Sequence, residues 1–287
     1  MTTLSPLRYP GGKASFTDFF GRLLEVNGLE GGLYAEPFAG GAGAAAGLLV
    51  AGYVDRIAIN DADRRVYAFW KSALRNTTRF IRRVEATPLT IEEWERQRAI
   101  YLRPEGKSDL AVGFASFFLN RANRSGIMVN GGPIGGKAQT GKWKLDARFN
   151  KLDLIARIER LADYGDRILL SCEDAADFLQ RIPAMAGTDP ALVYLDPPYF
   201  EKGGRLYMNA FTPGDHERLG ALMENVDLHW VMTYDDCPEI RRIYQWANCR
   251  SFSLKYSAYK VRSGGEVLIW PDSIRIPKLG GSAKIRR

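Results

Sequence analysis

The sequence predicts a doubly wound α/β fold that carries an inserted, mainly helical module. Apolar strands alternate with amphipathic helices near both ends of the chain, which is typical of parallel α/β sheets. A glycine-rich turn joins the first strand to a helix, as in nucleotide-binding folds. The alternation stops over residues 72–163, where helical patterns follow one another without a strand between them.

The front half of the fold is predicted from three consecutive strand and helix patterns. A short apolar strand over 33–38 enters the glycine turn, and an Ala/Leu-rich helix follows. A second strand over 56–60 ends at Asp61, and residues 61–74 place Val66, Phe69 and Trp70 on one helical face. This order of strand, turn, helix, strand, acid and helix predicts the first half of a doubly wound sheet.

The remaining elements are predicted from the same periodicities. In the insertion we predict helices over 77–101, 108–121 and 151–162, with a Gly-, Lys- and Asn-rich loop between Asn123 and Lys144. Beyond it we predict strands over 167–171, 191–195 and 229–233, helices over 175–181 and 213–224, and a hairpin of 251–256 with 266–270. The predicted boundaries are 1–71 with 164–275 for the sheet domain, 72–163 for the inserted module, and 276–287 for a disordered basic tail.

Composition favours an ordinary globular protein with a polyanionic partner. Hydrophobic residues make up 46% of the 287 positions, and no run approaches the roughly 18 apolar residues of a membrane span, so we expect a cytoplasmic protein. The formal charge of +7 suits nucleic acid, because Lys and Arg release condensed counterions on binding. Three scattered cysteines and two isolated histidines predict no metal site.

The glycine turn and the acid after the second strand are the first candidate site. Phe38, Gly40, Gly41 and Gly43 surround a turn where small residues let the backbone approach a ligand. Asp61 lies where a carboxylate commonly binds both hydroxyls of a ribose. A plain tight turn and a helix N-cap are the alternative interpretations of these two features.

The second candidate site is Asp196-Pro197-Pro198-Tyr199, which follows a predicted strand. The two prolines remove two N–H donors, so the Asp196 carboxylate and the Pro197 carbonyl form a row of acceptors beside an aromatic face. Such a row suits a planar ring that bears an NH₂ group, with Tyr199 stacked on the ring. A proline-rich turn with Tyr199 as surface packing is the alternative.

With these motifs in place, the chain resembles the Dam-like adenine-specific DNA methyltransferases. The resemblance runs in the family's order from residue 7 to about 270. Its pieces are Leu7 to Lys13, Glu36 to Gly43, Ile59 to Asp61, Phe118 to Arg121 with Ser125-Gly126, and Asp196 to Tyr199. It implies a Rossmann-like methyltransferase sheet with an inserted target-recognition module, S-adenosylmethionine as cofactor, and double-stranded DNA as partner.

The resemblance also implies roles for particular residues. Tyr9, Lys13, Asp61 and Asp196 are expected to contact the cofactor or the reacting centre, and Asp174 the cofactor's adenine, with Glu173 or a simple N-cap role as alternatives. Asp196, Pro197 and Tyr199 are the expected catalytic residues, acting on an adenine flipped out of the duplex.

DNA contacts are expected from two basic strips, one within residues 120–144 and one that includes Lys260 and Arg262. A solvated basic loop is the alternative interpretation of the first strip. The expected DNA-binding residues are Arg121, Asn123, Arg124, Lys137, Lys142, Lys144, Lys260 and Arg262. Methylation of an RNA adenine or a DNA cytosine amine, and a non-catalytic DNA-binding subunit, are the alternative functions. We expect a monomer, and a restriction-modification system, an orphan regulator and a phage are alternative settings for such an enzyme.

Overall fold

The first half of the chain alternates strands and helices as its sequence pattern predicts. The structure is a computed structural model that describes residues 4–8, 13–128, 131–200, 211–254, 265–277 and 283–285. After a short 3₁₀ turn at Lys13–Phe16 come α1 (Thr17–Asn27), β1 (Leu33–Glu36), α2 (Gly43–Ala51), β2 (Arg56–Asn60) and α3 (Arg64–Arg75).

The inserted segment is helical, but it contains one helix more than the sequence pattern predicts. Its helices are α4 (Thr77–Ala86), α5 (Ile91–Leu102), α6 (Asp109–Ala122) and α7 (Lys151–Ala162). The predicted single helix over 77–101 is wrong, because Thr87 adopts an extended conformation before Pro88 and the Thr90 hydroxyl caps a new helix.

The second half of the chain completes the sheet. Its elements are β3 (Ile168–Ser171), α8 (Ala175–Ala186), β4 (Ala191–Leu195), α9 (Pro213–Asn225), β5 (His229–Asp235), α10 (Pro238–Ile243), β6 (Asn248–Leu254), β7 (Glu266–Trp270) and β8 (Ala283–Ile285). The strand order is β3-β2-β1-β4-β5-β7-β6-β8. The first five strands are parallel and the last three are antiparallel to their neighbours, which confirms the predicted doubly wound α/β fold.

The basic tail contributes to the sheet. Backbone pairing places Leu254 opposite Ala283 and Phe252 opposite Ile285 in an antiparallel ladder. The prediction of a disordered tail over 276–287 is therefore wrong for residues 283–285, which form an edge strand. An edge strand leaves backbone groups unpaired on one side, and flanking basic residues are a common way to discourage further pairing there.

The inserted helices share a hydrophobic core with the sheet domain. The ring of Phe69 in α3 stacks on Phe117 in α6 with centroids 5.8 Å apart, and Phe80 and Phe114 pack around them. Helix α3 also runs continuously across the predicted boundary at residues 71 and 72. Each of these buried rings contributes about 1.5–3 kcal/mol of transfer free energy, so the insertion is built onto α3. Among the described residues, no helix is long and apolar enough to cross a membrane.

Candidate active site

The candidate site lies at the carboxyl edge of the parallel strands. From β1 the chain continues to β2 on one side of the sheet, and from β4 it continues to β5 on the other side. The neighbouring strands β1 and β4 therefore flank the topological switch point. Ligands of open α/β sheets bind in the crevice outside this point. The glycine turn follows β1, Asp61 follows β2 and Asp196 follows β4, so the topology brings the predicted motifs to one edge.

The glycine turn has the conformation that its sequence predicts. Gly40 adopts φ 45°, a left-handed conformation that favours glycine, and Ala42 adopts φ 43° immediately before α2 begins at Gly43. The indole N–H of Trp70 donates to the Gly40 carbonyl at 3.0 Å, which fixes the turn from the α3 side. Phe38 is half-buried, and its ring meets Phe211 edge-on at 5.7 Å.

Asp61 lies directly beside this turn. Its carboxylate accepts hydrogen bonds from the backbone N–H of Gly40 at 3.0 Å and of Asp63 at 2.9 Å. Burial raises the pKa of Asp61 to about 7, although both of these hydrogen bonds favour the carboxylate. The N-cap of α3 is Asp63 and not Asp61, since Asp63 accepts from the N–H of Arg65 at 2.8 Å.

Asn60 is a structural residue of the site that sequence reasoning missed. The buried side chain donates to the carbonyls of Pro37 and Glu173 and accepts from the N–H of Glu173, each at 3.0 Å. These bonds join the ends of β1, β2 and β3. A polar residue at the end of an otherwise apolar strand is the signal that could have identified it.

Asp174 is exposed and caps α8 through the N–H of Ala176 at 2.8 Å.

The Asp196 carboxylate is held by two donors from other parts of the chain. Its Oδ1 accepts from Lys13 Nζ at 3.2 Å and from Thr233 Oγ1 at 2.7 Å. Lys13 Nζ also donates to the Tyr199 hydroxyl at 3.2 Å. These two hydrogen bonds fix the orientation of the carboxylate. The Asp196 side chain is nevertheless 26% exposed, so it is accessible from outside the protein.

Lys13 is a buried cation between two carboxylates. It is 4% exposed and lies 3.5 Å from Glu266 Oε2 as well as beside Asp196. Burial disfavours the charged amine, but Asp196 and Glu266 outweigh this effect and raise the pKa of Lys13. Lys13 is therefore charged at neutral pH. Glu266 and Thr233 were not identified from the sequence, because an apolar strand pattern does not show which strands are neighbours in the sheet.

Glu36 adds a further buried acid under the glycine turn. Its Oε1 accepts from the N–H of Ala45 at 3.0 Å, and the side chain is 4% exposed. Burial raises the pKa of Glu36 to about 8, against the stabilising effect of that hydrogen bond. Because a carboxyl with this pKa is largely protonated at neutral pH, the two acidic groups that face the single charge of Lys13 are Asp196 and Glu266.

The structure corrects two members of the predicted DNA-binding set. Arg121 is buried and donates from Nε to the Pro6 carbonyl at 2.6 Å. Asn123 is also buried; its amide accepts from the Trp94 indole and donates to the Ile127 carbonyl, both at 2.7 Å. Since these side chains make internal hydrogen bonds, we do not retain them as DNA contacts. Tyr9, Lys260 and Arg262 lie outside the described residues.

The other predicted cations lie on an exposed surface beside a groove. Arg124, Lys137, Lys142 and Lys144 are exposed, and Lys142 lies 5.6 Å from the ring of the exposed Trp143. The groove, of about 900 Å³, separates α5 from the loop after α6. Its lining includes Trp94, Arg98, Arg103, Arg124, Pro133 and Lys137, together with three glycines. Arg98 and Arg103 belong to α5 and its end, where the sequence pattern predicted no DNA contact.

Among the described residues, no group of three or more His, Cys, Asp and Glu side chains could hold a metal ion.

A conserved hypothetical protein of Streptococcus pyogenes is among the solved structures similar to this chain. It is 13% identical, with a TM-score of 0.33, and the match covers 89% of this chain and 96% of that one. No curated protein matches the chain.

Residues 9–260 match the family described as D12 class N6 adenine-specific DNA methyltransferase. The match extends over most of the 287 residues and includes the glycine turn, Asp61 and the Asp196 tetrapeptide. This agrees with the resemblance noted from the motifs. The chain belongs to the D12 class N6 adenine-specific DNA methyltransferases.

Proposed function

We propose that this DNA adenine N6-methyltransferase uses S-adenosylmethionine to methylate an adenine flipped out of duplex DNA. The observation that carries the proposal is the fixed Asp196 carboxylate at the carboxyl end of β4, on the same sheet edge as the glycine turn and Asp61. This arrangement supports Asp196 as the acceptor for the amine, and the glycine turn with Asp61 as the groups that bind the nucleoside of the cofactor.

The residues of the edge fit S-adenosylmethionine. The Asp61 carboxylate accepts two backbone hydrogen bonds, and a carboxylate can accept about four, so capacity remains for both ribose hydroxyls. The surplus of acidic groups around Lys13 suits a positively charged ligand. Bound S-adenosylmethionine supplies an activated methyl group on a sulfonium, so no covalent enzyme intermediate is needed.

The Asp196 tetrapeptide would orient the amine that is methylated. Asp196 and the Pro197 carbonyl accept hydrogen bonds from its two N–H groups, and Tyr199 stacks on the base. Thr233 and Lys13 hold Oδ1 of Asp196, so the carboxylate does not reorganise when positive charge develops on the nitrogen. A base inside a duplex cannot reach this edge, so we include base flipping, which costs a few kcal/mol.

The cations that line the groove and those of the neighbouring loop would bind the duplex. Exposed Arg124 and Lys137 line the groove together with exposed Arg103 and half-buried Arg98, and Lys137 also pairs with Glu95 at 2.9 Å. Exposed Lys142 and Lys144 remain from the predicted strip. Lys and Arg at this density suit the phosphates of a DNA strand, which position the duplex without reading its sequence. The predicted domain boundaries, a cytoplasmic location and a monomeric state stay predictions within this proposal.

The test is to incubate the purified protein with S-adenosylmethionine and unmethylated genomic DNA. Modified nucleosides are quantified by mass spectrometry and mapped by single-molecule sequencing. We expect N6-methyladenine at one short sequence motif. Methylcytosine, or methylation only of RNA, would replace the substrate in the proposal. If S-adenosylmethionine binds but no nucleic acid is modified, a non-catalytic subunit becomes the better explanation.

A further inference from the structure

The N-terminal segment, residues 4–8, lies between the glycine turn and the inserted helices. On one side, the Ser5 hydroxyl donates to the carbonyl of Gly41 in the glycine turn. On the other side, the segment meets the end of α6 and the middle of α7. Five residues after Arg8 the chain reaches Lys13, which binds Asp196. The segment therefore contacts both the cofactor turn and the inserted module.

Asn120 makes the most complete contact with this segment. Its Oδ1 accepts from the N–H of Arg8, and its Nδ2 donates to the carbonyl of Arg8, each at 2.7 Å. The side chain is 2% exposed, so water does not compete for these bonds. Two further donors reach the same segment: Arg121 Nε to the Pro6 carbonyl at 2.6 Å, and Arg157 to the Ser5 carbonyl at 3.3 Å.

The loop that follows α6 touches the same point. Gly126 adopts φ 70°, and a Cβ atom there would lie 2.8 Å from the carbonyl oxygen of Arg8. Residues 124 and 134 of this loop bond through their backbones to Gly132 and Ala122, so the loop is connected to the end of α6. The loop, the end of α6 and the carbonyl of Arg8 are therefore in direct contact with one another.

We propose that Asn120 is a positioning residue through which DNA binding and cofactor binding are coupled. Asn120 fixes the N-terminal segment to α6, and Ser5 of the same segment binds the glycine turn. DNA bound at the loop after α6 would therefore change how the segment holds the glycine turn. This inference rests on the proposed function, since it assigns cofactor to the glycine turn and DNA to the loop. Coupling between two ligands is reciprocal and commonly changes affinity about 5–150-fold.

The chain offers a matched control for the Asn120 contact. Asn27, at the end of α1, accepts from the N–H of Arg275 and donates to the carbonyl of Arg275, each at 2.8 Å. The chemistry is the same, and both pairs join distant parts of the sequence. The Asn27 pair joins α1 to the segment after β7 and does not involve the N-terminal segment or α6.

The experiment measures the affinity of S-adenosylhomocysteine by calorimetry, with and without a duplex that the wild-type protein methylates. For the wild type we expect DNA to tighten binding at least about fivefold. Asn120→Ala should weaken binding of S-adenosylhomocysteine about tenfold and bring the ratio with and without DNA close to one. Asn27→Ala should keep the wild-type ratio. Thermal melts report whether each variant is folded.

A second pair of variants keeps the test decisive if Asn120→Ala does not fold. Asn120→Asp retains the acceptor for the N–H of Arg8, but it replaces the donor with a carboxylate oxygen that faces the carbonyl oxygen of Arg8. Ser5→Ala breaks the link to Gly41 at the other end of the segment. Each should lower the ratio, and their combination should lower it less than additively, because both act on one path.

The outcomes for the inference and for the proposed function are distinct. A wild type that neither binds S-adenosylhomocysteine nor methylates DNA would overturn both. A wild type that methylates DNA, with a ratio near one or with a ratio unchanged in folded Asn120 variants, would overturn the coupling and leave the proposed function standing.

Discussion

Lys13 donates a hydrogen bond to Asp196 across 3.2 Å, although 183 positions of sequence separate the two residues. The same ammonium also contacts Tyr199 and Glu266 while it is 4% exposed. An N-terminal motif and the Asp196 tetrapeptide are therefore joined by one buried cation. The strength of a buried charge contact depends on all of its partners, so Lys13, Asp196 and Glu266 should respond to substitution as a unit.

Asp196→Asn should reduce the rate of methylation at least about 100-fold, a loss comparable with removal of one preorganised electrostatic group. Asparagine keeps the shape of the side chain but loses the charge that faces the developing positive nitrogen. The measurement is single-turnover methylation of duplex DNA. Asp189→Asn is the control, because Asp189 lies at the opposite end of β4 and pairs with Arg56 at 2.7 Å. A variant with near-normal turnover would contradict the role assigned to Asp196.

Lys13→Met should destabilise the fold by about 3–5 kcal/mol, because it leaves buried carboxylates without their cation. Urea unfolding measures this change. The double variant Lys13→Met/Glu266→Gln should recover part of the loss, since it also removes the charge of Glu266, which lies 3.5 Å from Lys13. Strictly additive losses in the double variant would show that the two side chains do not interact.

The parallel strands were the most predictable part of the fold. The predicted bounds 56–60 and 191–195 are those of β2 and β4, because a strand buried on both faces is a continuous apolar run with clear ends. Helix α7 also has its predicted bounds, 151–162. The break at Pro88 was missed although the sequence contains its cause. Strand β8 was missed because three residues of a basic tail have no strand signal without β6 beside them.

The site was predictable where its residues belong to motifs along the chain, and unpredictable where its contacts depend on which strands are neighbours in the sheet. Thr233 and Glu266 contact Asp196 and Lys13 only because β5 and β7 are neighbours in the sheet. Arg121 was misassigned for a related reason. Every residue of α6 from Val112 to Ala122 is buried, so its polar residues face partners inside the protein. A helix that is apolar on all sides is the signal of such burial.

Affinity for S-adenosylhomocysteine should depend on pH through Asp61. Its pKa is about 7 because of burial, and the ionised carboxylate accepts hydrogen bonds from ribose hydroxyls more strongly than the protonated acid does, because both of its oxygens are charged acceptors. Binding therefore favours the deprotonated form, so affinity should fall as pH decreases below about 7, by up to about tenfold per pH unit, and level off above it. Calorimetry between about pH 6 and pH 8.5 measures this.

Asp61→Asn should weaken binding and remove most of this pH dependence. The control is Asp63→Asn, which keeps a good N-cap for α3 and the carboxylate of Asp61. If the wild type shows the same affinity at about pH 6 and about pH 8, Asp61 does not bind the ribose.

Reversing the charge of the two arginines at which α5 lines the groove should weaken DNA binding without affecting the cofactor site. Arg98→Glu/Arg103→Glu should raise the dissociation constant for a duplex at least about tenfold and reduce the slope of its salt dependence by about 0.9 for each phosphate that is no longer neutralised. Fluorescence anisotropy at several salt concentrations provides both quantities. Arg22→Glu, an exposed position of α1, makes the same kind of charge change elsewhere and should bind normally. Equal binding by both variants would place the duplex outside the groove.

Glu36→Gln should stabilise the protein, and increasingly so as pH rises. Burial raises the pKa of Glu36 to about 8, so the folded wild type retains a proton that the unfolded chain loses near its ordinary value of 4.5. The stability from that proton is fully present below pH 4.5 and is lost as pH rises toward about 8. Glutamine keeps an acceptor for the N–H of Ala45 and does not titrate.

The midpoint of thermal unfolding for Glu36→Gln should therefore exceed that of the wild type by a margin that grows between about pH 5 and about pH 8. A pKa raised from 4.5 to about 8 corresponds to a loss of up to about 5 kcal/mol, and about 1 kcal/mol corresponds to about 2–4 °C in a protein of this size class. The margin near pH 8 should therefore reach about 10 °C or more. A margin that is constant across this range would show that Glu36 is ionised in the folded protein. In that case the charge of Lys13, which lowers the pKa of Glu36, would outweigh burial, which raises it.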